Sequence, residues 1–314
     1  MRNAEWLGAS LFAILLQQRG KLAVFIDQAR TGEGTSAPTA LPSAEPVRPE
    51  AAPLETDSPG GATKASFRAF YDDISKRLDQ TGVGDSSFFL NYGYIASGDA
   101  DEARLQVPAG MLNPNSIRLA FELIGPVDLK GLRVLDVGCG RGGTVALLAE
   151  QFEAESAGVD LSPEAVAFCR RTHRGPRTHF EVGDAEHLPA KDETFDAVIN
   201  IESSHTYPNL RAFFVEARRV LRPSGWFLYT DLLPVQRWAE VRVLLTSLRF
   251  GIVSERTITS NVLASCDEVA SRRAKAFGAS EAMIDNFLAV PGSAVYEQMH
   301  SGAWEYRILR SRRV

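Results

Sequence analysis

Apolar residues recur at the spacing of helices and strands from about residue 66 onward. Phe67, Phe70, Tyr71, Ile74 and Leu78 fall at helical intervals, and a second amphipathic pattern covers 114–125. Beyond residue 131, short apolar runs typical of buried strands alternate with helical segments. Strands are predicted at 132–137, 156–160, 178–182, 195–201, 226–231, about 250–257 and about 303–309. This alternation predicts an α/β fold in which helices cover both faces of a parallel sheet.

The first 65 positions follow a different pattern, which divides the chain into three parts. Residues 1–30 have near-helical apolar spacing, but the segment is too short to bury a core alone, so it is interpreted as a docking helix or a fragment of a longer chain. Residues 31–65 contain six prolines and few large apolar groups. Such a Pro/Ala-rich stretch predicts an extended linker. The remaining part, 66–314, is predicted to be the functional domain, with residues 66–125 in front of its sheet.

Composition excludes several classes of protein. The 45% of hydrophobic residues suffices for a core, and a net charge of -5 without any Lys/Arg block argues against a nucleic-acid partner. Cys139, Cys169 and Cys266 are far apart and form no CxxC pair, which argues against a disulfide scaffold or zinc ribbon and favours a reducing, cytoplasmic setting. No apolar run approaches the ~20 residues that a membrane span needs. Acidic residues and histidines show no metal-ligand spacing, so no metal is expected.

A glycine-rich turn after the first strand is the strongest single feature of the sequence. Gly138, Cys139, Gly140, Arg141 and Gly142 follow the apolar run 132–137 directly and lead into a helix. Glycines there permit positive backbone dihedrals and close approach of a ligand, and the helix N-terminus offers free N–H groups. The spacing fits both the dinucleotide pattern GxGxxG and the pattern DxGxGxG, in which the acid is Asp136. A carboxylate at Asp136 would repel a pyrophosphate and attract an ammonium group, which favours the second pattern.

Acidic residues also end the next two predicted strands. Asp160 follows Gly138 by 22 residues, a separation that suits a carboxylate binding two ribose hydroxyls, and Leu161 stands beside it. Asp184 ends the third strand and could accept a hydrogen bond from the exocyclic amine of adenine, with Ala185 leaving room for the ring. An Asx turn explains Asp184 almost equally well.

Five segments in order resemble the Rossmann-like S-adenosylmethionine-dependent methyltransferases: VLDVGCGRGG, GVDLSPEAV, VGDAEHLP, FDAVINIESSH and ARRVLRPSGWFLYTD. The resemblance covers about 66–314. It implies a seven-stranded sheet whose last strand is antiparallel and inserted beside the fifth, and S-adenosylmethionine as cofactor. By the same resemblance, Asp136 and the loop 138–142 hold the methionine end, Asp160 the ribose and Asp184 the adenine, with Asn200 as a further cofactor contact.

Four other segments, FYDDISKRLDQ, FFLNYGYI, NIESSHTYPN and TITSNVLAS, resemble O-methyltransferases of natural-product pathways, including phthiotriolone-type enzymes and O-methyltransferase domains of polyketide synthases. This resemblance implies that 66–125 form a helical lid over cofactor and substrate. Candidate lid contacts are Tyr71 and Tyr94 for the cofactor and Tyr92 for the substrate, although Tyr71 fits a core position equally well. Further candidate substrate contacts are Tyr207, Asn261 and Asp231, the last of which also fits a turn.

The fourth strand ends next to Glu202 and His205, where open α/β sheets bind their ligands. A hydroxyl nucleophile needs a base, and a histidine of near-neutral pKa suits that task. His205 is therefore predicted as the general base, with Glu202 orienting it or acting as the base itself.

The predicted function is O-methylation of a hydroxyl on a polyketide-like or lipid-like metabolite. The substrate is either a small molecule or an acyl chain tethered to a carrier protein, and the linker favours a domain of a larger synthase over a free-standing enzyme. The alternatives are C-methylation at an enolisable carbon, a non-catalytic cofactor-binding module, and a dehydrogenase, which Asp136 disfavours.

Overall fold

A computed structural model describes residues 63–80, 87–96, 113–277 and 282–314. The predicted segment 1–30 and almost all of the predicted linker 31–65 lie outside these ranges, as does part of the predicted lid. Within the described residues, two helices precede the sheet: α1 (Lys64–Gln80) and α2 (Asn115–Ile124). The strands and helices that follow are β1 (Arg133–Val137), α3 (Gly143–Gln151), β2 (Glu155–Asp160), α4 (Pro163–Thr172), β3 (Thr178–Val182), β4 (Phe195–Ile201), α5 (Leu210–Val220), β5 (Leu221–Pro234), α6 (Val235–Ser247), β6 (Phe250–Thr257), α7 (Thr259–Phe277), α8 (Ala282–Phe287), α9 (Ala294–His300) and β7 (Trp304–Arg313).

The seven strands form one sheet in the order β3–β2–β1–β4–β5–β7–β6. Pairs among the first five strands are parallel, whereas β7 is antiparallel to both β5 and β6, between which it is inserted. This confirms the predicted Rossmann-like sheet with its antiparallel last strand. Strands β5 and β7 are longer than predicted because they pair without interruption. The pairing runs from Trp226 opposite Arg312 to Pro234 opposite Trp304, so each strand supplies the hydrogen bonds that extend the other.

Two apolar cores cover the two faces of the sheet. One core packs α1, α2 and α7–α9 against the sheet through side chains such as Ile74, Leu119 and Tyr306, each of which is fully buried. The other lies under α5 and α6 and contains a group of stacked and edge-on aromatic rings that includes Phe213 and Trp238. Burial on both faces explains why the strands read as apolar runs rather than as alternating patterns. None of the described helices has the length and apolarity needed to cross a membrane.

Helix α1 lies over the carboxyl ends of β1–β3 and is held there by polar contacts. Asp79 forms an ion pair with Arg141 of the glycine loop (2.7 Å), and Asp72 accepts a hydrogen bond from the hydroxyl of Ser162. At the N-terminus of the helix, the Lys64 ammonium lies 2.7 Å from Asp184 Oδ2. These contacts place α1 above the residues that the sequence assigns to the cofactor.

Candidate active site

The carboxyl ends of β1–β4 surround a cavity of about 1030 Å³, a volume that includes the solvent at its mouth. Most of the predicted cofactor residues line this cavity: Tyr71, Asp136, Gly138, Cys139, Gly140, Asp160, Leu161, Asp184 and Ala185. Glu202 and Tyr207 line it as well, and an apolar wall is supplied by Phe67, Phe88, Phe89, Leu90 and Ile201. The cavity therefore combines carboxylates from successive strands with an aromatic and aliphatic surface, as ligand sites commonly do.

The glycine loop has the backbone geometry that only glycine adopts easily. Gly138, Gly140 and Gly142 have φ values of 73°, 52° and 79°. A Cβ added at Gly138 would lie 2.4 Å from the Ser203 hydroxyl oxygen, so side chains are excluded at this position. The loop is fastened to the second strand, because Gly138 N donates to Val159 O (2.8 Å) and Gly140 N donates to Asp160 Oδ2 (2.8 Å).

The two carboxyls at the ends of β1 and β2 are buried next to each other. Asp136 is 2% exposed, and burial together with the charge of Asp160 raises the pKa of Asp136 to about 8. Burial also raises the pKa of Asp160, although N–H groups of Ser162 and Gly140 bond to its carboxylate and oppose that shift. A cationic ligand group near Asp136 would restore its ionised form.

Asp184 is engaged by a lysine that sequence reasoning missed. Lys64 Nζ lies 2.7 Å from Asp184 Oδ2 and 2.5 Å from Glu186 Oε2. Burial pushes the pKa of Asp184 upward, but the Lys64 ammonium and the Glu186 N–H outweigh it and hold the pKa below its ordinary value. The Asx-turn interpretation also describes this residue, because Asp184 Oδ1 accepts from Glu186 N (2.9 Å).

His205 pairs with Asp231 rather than with the predicted Glu202. His205 Nδ1 lies 2.7 Å from Asp231 Oδ1, and Asp231 is fully buried. Burial alone would lower the pKa of His205, but the Asp231 carboxylate more than compensates and raises it. Among the described residues, His205 Nε2 has no hydrogen-bond partner, and it is sealed from solvent. An imidazole with one nitrogen held by a carboxylate and the other unpaired has the arrangement of a general base.

Asp231 therefore lies behind the cavity, and its predicted contact with substrate is not what the structure shows. Its carboxylate accepts hydrogen bonds from the Ser204 hydroxyl (2.6 Å), the His205 N–H (3.0 Å) and the Leu232 N–H (2.8 Å). These bonds and the imidazole contact occupy both carboxylate oxygens. Asp231 thus fixes the short turn after β4 and the ring orientation of His205.

Glu202 bonds to the loop 87–96 and to β7 rather than to His205. It has a φ of 49°, unusual for a residue other than glycine. Its Oε2 accepts from Tyr92 N (2.9 Å) and from the Tyr306 hydroxyl (2.7 Å), and burial raises its pKa to about 7. Tyr306 belongs to β7 and was not identified from the sequence.

Four further predicted contacts support the cavity walls instead of lining them. Tyr92 and Tyr94 are 1% and 5% exposed, and Arg256 packs over the Tyr94 ring at 5.8 Å. Asn261 Nδ2 donates to Ile95 O (2.8 Å), which ties the loop 87–96 to α7. Asn200 Nδ2 donates to Val137 O (2.9 Å), which links β4 to the end of β1. Asn261 meets backbone rather than the cavity because the loop 87–96 lies against α7.

Arg141 is another residue whose role the sequence did not reveal. Its side chain is fully buried, and its guanidinium lies 3.4 Å above the Phe168 ring. Besides pairing with Asp79, it donates to Ser87 O (3.0 Å). A buried, fully bonded arginine joins the glycine loop to α1 and to the loop 87–96.

Comparisons with known proteins identify the family of this chain. A family model for a methyltransferase domain matches residues 135–229. The fatty-acid O-methyltransferase of Mycolicibacterium smegmatis is 35% identical over 238 residues, which cover 71% of this chain and 82% of that enzyme. The phthiotriol/phenolphthiotriol dimycocerosates methyltransferase of Mycobacterium leprae is 33% identical over 258 residues, covering 78% of this chain and 91% of that enzyme.

A solved structure shares the fold. Geranyl diphosphate C-methyltransferase from Streptomyces coelicolor A3(2), solved with Mg²⁺, geranyl diphosphate and S-adenosyl-L-homocysteine, matches with a TM-score of 0.57 at 18% identity. The match covers 80% of this chain and 98% of that chain. The family relationship, the glycine loop and the buried carboxyl of Asp136 agree on one cofactor, S-adenosylmethionine. The chain thus belongs to the S-adenosylmethionine-dependent methyltransferases.

Proposed function

We propose that this enzyme transfers a methyl group to a hydroxyl oxygen of an apolar, lipid-like substrate. The observation that carries the proposal is the contact of 2.7 Å between His205 Nδ1 and Asp231 Oδ1, which leaves Nε2 as an unpaired base. A neutral hydroxyl is a poor nucleophile until its proton leaves, so this pair suits an alcohol better than an amine. The names of the two relatives, a fatty-acid O-methyltransferase and a phthiotriol methyltransferase, support the same substrate class.

The cofactor is assigned to the chain's own residues as follows. Asp136 and the loop Gly138–Gly142 would hold the methionine end, Asp160 the ribose, and Asp184 with Ala185 the adenine. When bound, S-adenosylmethionine supplies an electrophilic methyl group on a positively charged sulfur. Because that sulfur is already a good leaving group, the protein's main tasks are to align the nucleophile and to take its proton.

His205 Nε2 would accept the hydroxyl proton as the oxygen forms its bond to the methyl carbon. Asp231 keeps the other proton on Nδ1 and stabilises the imidazolium that results. The His205 side chain is 5% exposed, and its neighbours Glu202 and Thr206 line the cavity. His205 itself is not among the residues that line the cavity, so its Nε2 would meet a hydroxyl only once bound substrate rearranges this wall, since catalytic hydrogen bonds often tighten only when substrate is present.

The apolar wall of Phe67, Phe88, Phe89, Leu90 and Ile201 would bind the hydrocarbon part of the substrate. Burying such a chain is favourable by about 0.8 kcal/mol per CH₂ group, so chain length should strengthen binding. A free acyl chain and one tethered to a carrier protein present the same hydrocarbon. The proposal therefore includes an acyl chain tethered to a carrier protein of a larger synthase. The test compares free substrates with carrier-linked ones.

The test is mass spectrometry of long-chain hydroxyacyl and ketoacyl substrates, free and carrier-linked, incubated with methyl-labelled cofactor. Label on the hydroxyl oxygen is expected, and label on carbon would establish the C-methyltransferase alternative. His205→Ala should lower turnover about 10²–10⁴-fold with little change in S-adenosylhomocysteine affinity. His300→Ala on α9 serves as the matched control and should leave turnover unchanged. Cofactor binding without any product would favour a non-catalytic module, and a greater loss in Glu202→Gln would make Glu202 the base.

A further inference from the structure

One carboxylate oxygen on the cavity wall, Oε1 of Glu202, takes no part in the proposed methyl transfer. Tyr92 N and the Tyr306 hydroxyl both bond to Oε2 of Glu202, at 2.9 Å and 2.7 Å. Oε1 has no hydrogen-bond partner among the described residues, and Glu202 lines the cavity. Since Asp231 already holds His205, Glu202 is not needed to orient the imidazole.

The local backbone keeps Glu202 in this position despite strain. Its φ of 49° is disfavoured for a side-chain-bearing residue, and its N–H donates to Thr230 O (2.9 Å) on the neighbouring strand. Tyr306, which is fully buried, also holds the carboxyl through its hydroxyl. Strained residues that the surrounding structure holds in place concentrate at ligand sites.

We propose that Glu202 Oε1 accepts a hydrogen bond from a second hydroxyl of the substrate, distinct from the hydroxyl that is methylated. The substrate class is then an apolar chain with two hydroxyl groups, and Tyr306 is the positioning residue for this subsite. The inference rests on the proposed function, whose methylated hydroxyl is the one near His205.

The chemistry of the site explains why a hydroxyl is the fitting group. An ionised carboxylate can only accept hydrogen bonds, so its unpaired oxygen requires a donor. A ligand that buries this oxygen without supplying a donor leaves the oxygen without a hydrogen bond. A site built to bond a hydroxyl therefore binds an analogue that lacks the hydroxyl much more weakly. The apolar part of the cavity lining favours a donor that is carried on a hydrocarbon chain.

The isosteric change Glu202→Gln should invert the polarity of the subsite. The side-chain oxygen of glutamine must stay where Tyr92 N and the Tyr306 hydroxyl donate. Its NH₂ group is then left on the cavity side, where it donates instead of accepting. A ligand with a carbonyl at the second position should therefore fit the variant better than it fits the native protein.

The experiment is calorimetry on the full chain saturated with S-adenosylhomocysteine at pH 8. The ligands are a long-chain diol and the matched hydroxyketone, in which a carbonyl replaces the second hydroxyl. The native protein should bind the diol about ten-fold more tightly or better, as expected for a hydrogen bond to a charged group. Glu202→Gln should equalise or reverse that preference, and Tyr306→Phe should reduce it because the carboxyl loses one of its two anchors.

Glu216→Gln is the matched control, because both oxygens of Glu216 are already engaged, by Arg219 and by Leu188 N, and Glu216 is not among the residues that line the cavity. It should leave the preference between diol and hydroxyketone as in the native protein. Equal binding of the two ligands by the native protein, or binding of neither, would overturn the proposal. A loss of S-adenosylhomocysteine affinity in Glu202→Gln would also overturn it, since Glu202 would then serve the cofactor. Binding is measured without turnover, so failure of methyl transfer tests the proposed function separately.

Discussion

Replacing Asp231 by asparagine tests the proposed base most directly. Four donors converge on its carboxylate: His205 Nδ1 and Leu232 N at Oδ1, and the Ser204 hydroxyl and His205 N at Oδ2. Asparagine has nearly the same shape, but one of its ends is an NH₂ group. If the NH₂ group faces Nδ1, the imidazole must move its proton to Nε2 and can no longer act as a base there. If the NH₂ group instead takes the position of Oδ2, it meets the backbone N–H of His205, and two hydrogen-bond donors then face each other.

The expected loss follows from that tautomer. The same exchange in the Ser-His-Asp triad lowers turnover by about 10⁴-fold with geometry intact. A general base alone is worth about 10²–10⁴-fold. Asp231→Asn should therefore lower kcat by about 10²–10⁴-fold, which corresponds to about 2.7–5.4 kcal/mol at 1.36 kcal/mol per factor of ten. S-adenosylhomocysteine affinity should change little, because Asp231 is not among the residues that line the cavity.

The pH dependence gives a second, independent readout. The Asp231 carboxylate raises the pKa of His205 because it stabilises the charged imidazolium. In the native enzyme kcat/KM should rise with pH through that raised pKa, since only neutral imidazole accepts a proton. Removing the carboxylate charge lowers the pKa, so the acidic limb of the residual activity should move to lower pH.

Steady-state assays of methyl transfer from pH 5.5 to 9 measure both effects. Asp192→Asn is the matched control, because Asp192 is 74% exposed and pairs with Arg219 on the surface, away from the cavity. Near-native turnover of Asp231→Asn with an unmoved acidic limb would refute the role of His205 as base. A large loss of S-adenosylhomocysteine affinity would instead show that Asp231 supports the cofactor site.

Three further predictions concern the cofactor end of the cavity. Asp160→Ala should lower S-adenosylhomocysteine affinity ten-fold or more, because two charge-assisted bonds to ribose are lost, as calorimetry would show. Binding at pH 7 should release protons, because burial and Asp160 raise the pKa of Asp136 to about 8 without a cation, and calorimetry in two buffers of different protonation enthalpy measures this. Gly140→Ala should cost about 1–2 kcal/mol of unfolding free energy, and Gly142→Ala about 1–3 kcal/mol more, in urea denaturation.

Each of these three predictions is tested by a control variant or by a result that would contradict it. Asp73→Ala, on the exposed side of α1, should leave cofactor affinity as it is, and an equal loss there would discount the Asp160 result. Binding at pH 7 without proton release would show that no cation meets Asp136. The two glycines differ in the room available for a side chain. An added Cβ would lie 3.5 Å from Leu90 at Gly140, but 2.8 Å from His173 at Gly142. Equal destabilisation by the two alanines would contradict the packing argument.

The sequence by itself determined the sheet and the acidic strand ends that line the cavity. The predicted strands 178–182 and 195–201 have the bounds of β3 and β4, and the predicted 132–137 differs from β1 by one residue. Asp136, the glycine loop and Asp160 lie on the cavity as expected. These features are local: a buried run, a turn that needs positive φ and an acid at a strand end stand within a few residues of one another.

Only the tertiary structure decided which side chains meet. Asp231 reaches His205 across 26 positions, Tyr306 reaches Glu202 across 104, and Lys64 reaches Asp184 across 120. Each contact depends on the order of strands in the sheet or on where a helix lies over it. The spacing of apolar residues along the sequence predicts neither. The nearby Glu202 was a reasonable partner for His205 by sequence distance. Its left-handed backbone directs the carboxyl to β7 instead, whereas β5 brings Asp231 beside β4, and so the geometry of the sheet selects the pair.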